Sequence, residues 1–61
     1  MKLDPTELQK LKRELLGSKV LYNKREYTLI WIYDNHYCEI RSMYYTCELV
    51  RMEELTLLQQ S

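Results

Sequence analysis

The sequence predicts a small α+β domain in which one N-terminal helix precedes a five-stranded antiparallel sheet. Two changes of pattern indicate this class. Apolar residues recur at helical spacing up to Gly17, the only glycine, and beyond it short, near-alternating runs of β-branched and aromatic residues follow. These runs are separated by turns of a few residues, which favours successive hairpins, and so short a meander must curl to protect its edges. Residues 1–61 therefore form a single domain with a small core.

The helix is marked at both of its ends. Asp4 is a suitable N-cap and Pro5 suits the first helical position, where the missing N–H has no helical partner. Glu7 has the spacing of a capping box with Asp4, and Gly17 can adopt the positive φ that commonly follows a helix. The sequence predicts a helix over 5–16. Its apolar stripe consists of Leu8, Leu11, Leu15 and Leu16.

The central strand is the run from Tyr27 to Tyr33, which is apolar on both faces. Strict alternation places Thr28, Ile30 and Ile32 on one face and the other members of the run on the opposite face. One set faces the interior of the barrel. The other set is covered by the leucine stripe of the helix or remains as an exposed aromatic patch, and both alternatives stay open. The set opposite Thr28 comprises Tyr27, Leu29, Trp31 and Tyr33.

The remaining strands follow from the same alternation. We predict strands at 19–22, from 25 or 26 to 33, 37–42, 45–50 and 56–58, a helical turn at 52–55 and a frayed end at 59–61. The turns lie at 23–24 and 34–36, and both lack the usual glycine, so we expect them to be strained or longer than two residues. A turn at Ser42-Met43 places Cys38 opposite Cys47, with Ile40 and Leu49 on the same face.

The order of these elements carries a resemblance to a known fold. Gly17-Ser18-Lys19-Val20, the strands and Asn-containing turns up to Ile40, and the closing Val50 … Glu54-Leu55-Thr56-Leu57 together resemble small SH3-like barrels. The resemblance covers residues 17–58 and implies a five-stranded antiparallel SH3-like barrel. It is strongest with short uncharacterised proteins of bacteria, phages and mobile elements, and it implies no catalytic motif. A helix before such a barrel is also similar to the Sm-like RNA-binding fold, but the glycines and Asp/Asn loop residues of the Sm motifs are missing.

Charge is balanced overall but divided between the two halves of the chain. The formal net charge is zero, while residues 1–25 carry seven bases and three acids and residues 26–61 carry two bases and six acids. The first residues lack the apolar region of a signal peptide, and no run reaches the length of a membrane span. We therefore expect a cytoplasmic protein with both cysteines reduced.

The residues that could carry chemistry are His36, Cys38 and Cys47. If adjacent strands brought them together, they would supply three zinc ligands, whereas a structural site requires four and no CxxC or HxxxH spacing is present. Two cysteines acting as small hydrophobes and an exposed turn histidine are the simpler interpretation. The sequence therefore predicts no metal, no cofactor and no enzyme activity.

The aromatic residues point to binding instead. Six tyrosines and one tryptophan occur without any phenylalanine, and tyrosine suits positions with one wet end. We expect a small regulator or inhibitor that occupies a protein surface. The predicted partner-binding residues are Trp31, Tyr33, Tyr37 and Tyr44, with Arg41 as a polar partner.

Two alternatives remain. One is a nucleic-acid-binding barrel, because aromatics beside bases hold single strands. Its candidate residues are Lys10, Lys12, Arg13, Lys19, Lys24 and Arg25. The other alternative is a structural protein that associates with itself through an uncovered apolar face.

Overall fold

The structure is a computed structural model that describes residues 2–58. One helix and a five-stranded antiparallel sheet form it, so the α+β class is confirmed. The sheet order is β4-β3-β2-β1-β5. The elements are α1 (Pro5–Leu15), β1 (Lys19–Tyr22), β2 (Arg25–Ile32), β3 (Tyr37–Arg41), β4 (Cys47–Arg51), a 3₁₀ turn (Met52–Glu54) and β5 (Thr56–Leu57). The predicted frayed end at 59–61 lies outside the described residues.

The sheet is open, because β4 and β5 are its two outer strands and do not pair with each other within residues 2–58. The predicted closure into a barrel is therefore not confirmed. The sheet is nevertheless curled. A flat sheet of this order would hold its outer strands about 19 Å apart. The chain from Arg51 to Thr56, which joins the two outer strands through a 3₁₀ turn, reaches only about 13 Å. The outer strands must therefore lie closer together than in a flat sheet.

The helix lies alongside the second half of β2. The N–H of Leu3 donates to the carbonyl of Asp34 at 2.7 Å, and the N–H of Gly17 donates to that of Leu29 at 2.8 Å. The predicted leucine stripe, joined by Leu3, packs against the core. The helix ends at Leu15, one residue early, and Gly17 has the expected positive φ of 88°.

The predicted capping box is wrong in one respect. Asp4 occupies the N-cap position with an extended backbone, but its side chain makes no capping hydrogen bond. Proline at the first helical position removes one of the donors that need a cap, so the helix depends less on this side chain.

The core is apolar, and no polar or charged residue among residues 2–58 is buried in it. It forms on the concave face of the curled sheet, where the leucines of α1 also pack. We call this the core face. Its buried members are Val20, Tyr27, Leu29, Ile32, Cys38, Ile40 and Val50.

A β-bulge in β2 overturns the predicted alternation. Leu29 pairs with Ile40, but Trp31 pairs with Glu39, so Ile30 is an extra residue in the ladder. The bulge reverses the faces beyond it. Ile32 is therefore buried, whereas Trp31 turns to the opposite face, and neither predicted set faces the core as a whole.

The β3–β4 register also differs from the prediction. Cys47 lies opposite Arg41 rather than Cys38, and the connecting hairpin loop is longer than the two residues expected, so β4 starts at 47 instead of 45. The shift is three positions, and an odd shift moves every side chain of a strand to the other face. Cys47 and Leu49 thus point away from the core.

The turns conform to the expectation of strain. Asn23 and Lys24 both have positive φ, as a two-residue type I′ hairpin requires. The hairpins at 34–36 and 43–45 are longer, and the last residue of each, His36 and Tyr45, has a φ of 68° and 65°. Glycine is the usual residue at such positions.

Candidate functional site

The face of the sheet opposite the core carries the exposed aromatic residues. We call it the outer patch and define it by three cross-strand rows over β2, β3 and β4. The rows are Tyr33–Tyr37–Arg51, Trp31–Glu39–Leu49 and Thr28–Arg41–Cys47. Cross-strand neighbours of this kind have Cβ atoms about 5 Å apart, so the rows form one continuous surface.

Trp31 stands at the border between the outer patch and the helix. Its side chain keeps 43% of its surface exposed. The Nζ of Lys12 lies 4.1 Å from the centre of its ring, within range of a cation–π contact. The bulge at Ile30 is what turns this ring outward. The contact fixes the orientation of Trp31 and adds positive charge to the border of the patch.

A hydrogen bond organises the middle of the patch. The hydroxyl of Tyr33 donates to Oε1 of Glu39 at 2.9 Å, and this bond raises the pKa of Tyr33 above its usual value. Tyr33 and Glu39, with Tyr37, Asn35 and Leu49, line a depression of about 250 Å³. The carboxylate of Glu39 is therefore held within the patch by its neighbour.

Arg51 closes the end of the patch beside the 3₁₀ turn. The hydroxyl of Tyr37, which lies opposite Arg51 in the ladder, and after it the negative charge of Glu53 keep the pKa of Arg51 above its usual value. Nη1 of Arg51 lies 3.6 Å from Oε1 of Glu53, and both side chains are exposed. Such an exposed ion pair contributes little to stability, so these groups remain available for contacts.

The β3–β4 loop borders the patch at its other end. The guanidinium of Arg41 lies 5.3 Å from the ring centre of Tyr45. Ser42 braces the loop, because its Oγ accepts hydrogen bonds from the N–H groups of Tyr44 and Thr46 at 3.1 and 3.2 Å. Tyr44 and Tyr45 are 81% and 77% exposed. The loop thus presents two tyrosines on a braced backbone.

Four of the five predicted partner-binding residues share the outer patch. Trp31, Tyr33, Tyr37 and Arg41 lie on it, and Tyr44 lies in the adjoining loop. Their role in binding stays a prediction. Sequence reasoning missed Glu39 and Leu49 as members of this surface, whereas Tyr45 was expected beside Tyr37 and Tyr44 as a further contact candidate. The wrong β3–β4 register hid Leu49, and the alternation of Tyr37, Glu39 and Arg41 was the available signal for Glu39.

The structure does not gather the six basic residues of the nucleic-acid alternative. Lys10 and Arg13 are on the exposed part of the helix, and Lys19 at the start of β1 donates to Oγ1 of Thr28 at 3.3 Å. Lys24 and Arg25 lie at the β1–β2 turn. Lys12, over Trp31, and Lys19, bonded to Thr28, adjoin the outer patch at two different rows.

The two cysteines lie on opposite faces of the sheet. Cys38 is fully buried on the core face, where desolvation raises the pKa of its thiol, and Cys47 is exposed on the outer face. The predicted approach of Cys38 to Cys47 is therefore wrong, and both thiols are free. Within residues 2–58, three or more His, Cys, Asp or Glu side chains nowhere cluster as a metal site would require.

Comparison with protein families, curated proteins and solved structures finds no match to this chain. No helix in the described part of the chain is long and apolar enough to cross a membrane.

Proposed function

We propose that this protein is a small non-enzymatic binding module that occupies a protein surface through the outer patch. The observation that carries the proposal is the exposure of Trp31, Tyr33 and Leu49 on the face that the core does not use. A contiguous exposed apolar surface with a polar rim is typical of an interaction site. We further propose a regulator or inhibitor of the kind found in phages and mobile elements, acting in the cytoplasm.

The composition of the patch supports a protein partner. Tryptophan, tyrosine and arginine are the residues that contribute most at protein interfaces. Here they stand on β-strands, and several are oriented by neighbours: Trp31 by Lys12, Tyr33 by Glu39 and Arg41 by Tyr45. Side chains that are already ordered lose less conformational entropy on binding.

The SH3-like barrel is part of the same proposal. The sequential antiparallel pairing of β1 to β4, the 3₁₀ turn that returns the chain, and the pairing of β5 with β1 support it. The short return from β4 to β5 also draws the two edges together.

A protein surface suits the patch better than nucleic acid does. Glu39 lies in the centre of the patch, between Trp31 and Leu49, where a phosphate backbone would be repelled. Single-strand binding requires cations that follow the backbone. The six candidate basic residues are instead distributed over the helix, the start of β1 and the β1–β2 turn. The two arginines of the patch, Arg41 and Arg51, lie in its outer rows on either side of Glu39.

The test is an affinity pull-down from host lysate with tagged protein, with and without nuclease, followed by titration of the captured partner. We expect Trp31→Ala and Tyr37→Ala to weaken binding by about 2 kcal/mol, roughly 30-fold, as interface anchors do. Leu57→Ala is the matched control, because this leucine is also exposed but belongs to β5 at the far edge. It should bind like the parent protein.

The outcome is decisive in either direction. Binding that survives nuclease, depends weakly on salt and is lost in the Trp31 and Tyr37 variants supports the proposal. Binding that disappears with nuclease and falls steeply with salt would assign the function to Lys10 through Arg25 and nucleic acid. Retention of full affinity by both variants would remove the outer patch from the mechanism.

A further inference from the structure

The edge strand β4 is unpaired on its outer side in the described part of the chain, and only the N–H of its last residue, Arg51, is occupied, by the side chain of Glu54. The strand pairs with β3 on one side, and no described strand pairs with its other side. Natural edge strands are commonly protected by proline, lysine or a bulge. The sequence of β4, CELVR, contains no proline or lysine, and its ladder with β3 shows no register shift. Its charged residues are Glu48, opposite Ile40, and Arg51, opposite Tyr37. β5, at the opposite edge, is only two residues long.

The hydrogen-bond pattern identifies which backbone groups point outward from this edge. The N–H of Ser42 donates to the carbonyl of Thr46, and that of Met52 donates to the carbonyl of His36, both at 2.8 Å. Because bonded and non-bonded pairs alternate in an antiparallel ladder, Glu48 and Val50 bond to β3. The backbone groups of the alternate residues of β4 point to solvent. These residues are Cys47, Leu49 and Arg51.

We infer that β4 pairs antiparallel with β4 of a second copy of this chain, with Leu49 on the two-fold axis. In this register each residue with outward backbone groups faces another one. Leu49 lies opposite Leu49 of the second copy, and they exchange both of their hydrogen bonds. The N–H of Cys47 donates to the carbonyl of Arg51 of the second copy. The N–H of Arg51 is already bonded to Oε1 of its own Glu54 at 3.2 Å and needs no partner.

Side chains and charges are compatible with this pairing. Leu49 is 62% exposed and meets its own counterpart, so an exposed apolar side chain becomes covered. Glu48 lies opposite Val50 of the second copy, so no two like charges stand directly opposite. The carboxylate of Glu48 accepts the hydroxyl of Tyr27 at 2.9 Å, which turns it onto its own sheet instead of across the edge.

The pairing joins the two outer patches into one surface. Each row that ends at β4 continues into the second copy, so the Trp31–Glu39–Leu49 row meets the same row of the second copy across the two-fold axis. The formal net charge of zero removes overall repulsion between copies. A short edge contact buries less than the area of about 1,000 Å² that a stable interface needs. We therefore expect association at about 0.1 to 1 mM.

Sedimentation equilibrium over about 10 µM to 1 mM tests the inference. We expect the average mass to rise from the monomer value of 7.5 kDa toward twice that value. Leu49→Pro removes an outward N–H without removing a bond to β3, so the variant stays folded and monomeric. Near-ultraviolet circular dichroism of Trp31 checks the fold.

The far edge supplies a matched control. The N–H of Leu58 donates to the carbonyl of Lys19 at 3.1 Å, so the backbone of Leu57 points outward from β5. Leu57→Pro should therefore associate like the parent protein. A parent protein that remains monomeric at 1 mM overturns the inference. Association of the Leu49→Pro variant over the same concentration range as the parent protein would also overturn the inference.

Cross-linking tests the register separately. In a Cys47→Ser background, Leu49→Cys places two thiols opposite each other in a bonded pair, whose Cα atoms lie about 5.5 Å apart. That separation suits a disulfide. We expect this variant to form a disulfide-linked dimer with oxidised glutathione, at least about tenfold faster than the parent protein cross-links through Cys47. Faster cross-linking through Cys47 would overturn the proposed register.

Discussion

The two faces of β2, β3 and β4 are built from the same strands but differ in what their side chains do. On the core face, Leu29, Ile40 and Val50 are almost completely buried in one apolar cluster. On the outer face, side chains make polar contacts instead. Lys12 lies over the ring of Trp31, Arg41 lies over the ring of Tyr45, and Glu39 accepts a hydrogen bond from Tyr33. Stability is therefore concentrated on one face, which leaves the other free for recognition.

The comparison also separates two kinds of tyrosine. Tyr27, on the core face, is 7% exposed and uses its hydroxyl to reach Glu48 at the rim. Tyr33, on the outer face, keeps 37% of its surface exposed and bonds to Glu39. Each ring has one apolar and one wet end, as tyrosine prefers. This explains how the chain uses six tyrosines and no phenylalanine on both faces of one sheet.

The largest effect is expected from cavities on the core face. Ile40→Ala removes a fully buried side chain and should lower the free energy of unfolding by about 2 to 5 kcal/mol. Leu49→Ala, on the outer face of the neighbouring strand, should lower it by no more than about 0.5 kcal/mol. Urea denaturation of both variants at low concentration measures the difference. Equal losses would show that the outer face contributes to stability after all.

The next largest effect is a difference in thiol reactivity. Cys47 is exposed and should react with an aromatic disulfide reagent at the rate of a model thiol. Cys38 is buried and its thiol pKa is raised, so it reacts only when the domain opens. For a core of this size, we expect Cys38 to react at least about 100-fold more slowly. Equal rates would contradict the burial of Cys38.

A smaller effect is expected from the strained loop residue at the edge of the outer patch. Tyr45 has a φ of 65°, a conformation that costs a side chain about 1 kcal/mol. Tyr45→Gly should therefore raise the free energy of unfolding by up to about 1 kcal/mol. The stabilisation lost with the contact between Tyr45 and Arg41 reduces this gain. Tyr44→Gly, in the same loop without positive φ, should lower it instead. A stabilised Tyr45→Gly that binds its partner more weakly would indicate that strain is retained for recognition.

The smallest effect concerns alkaline pH. Hydrogen bonds to Glu48 and Glu39 raise the pKa values of Tyr27 and Tyr33 in the folded state above the usual value of 10.0. The stability from these bonds is complete below pH 10.0 and is lost as the pH rises through the folded-state pKa.

Urea denaturation between pH 8 and pH 11 measures this loss. The free energy of unfolding should decline above about pH 10. Tyr27→Phe and Tyr33→Phe should each make the decline shallower. Tyr44→Phe serves as the control, because its hydroxyl makes no hydrogen bond to a carboxylate among the described residues, and it should leave the decline unchanged. A steeper decline in either test variant would contradict the assigned bonds.

Local signals in the sequence determined most of the elements. Proline after Asp4, the leucine stripe and Gly17 specified the helix to within one residue. Lys19–Tyr22 and the two-residue turn after it followed from β-branched alternation and from Asn23. These features depend on interactions between neighbours in the chain, which is why a single sequence can specify them.

The faces of the strands, by contrast, were decided by tertiary structure. Alternation predicts a face only while the ladder is regular, and the extra residue at Ile30 leaves no mark in the pattern of apolar residues. The β3–β4 register likewise depended on a loop in which Tyr45 adopts the conformation usual for glycine. In the observed register Val50 is buried in the core, while Cys47 and Leu49 are exposed.

The sequence by itself thus determined the class, the order of the elements and the aromatic residues of the candidate site. Only the tertiary structure decided that Trp31 faces outward while Ile32 faces inward, and that Leu49 belongs to the outer patch. The physical reason is the period of two in a strand. A shift by one residue or three changes little in the local pattern and yet exchanges the two faces of the sheet.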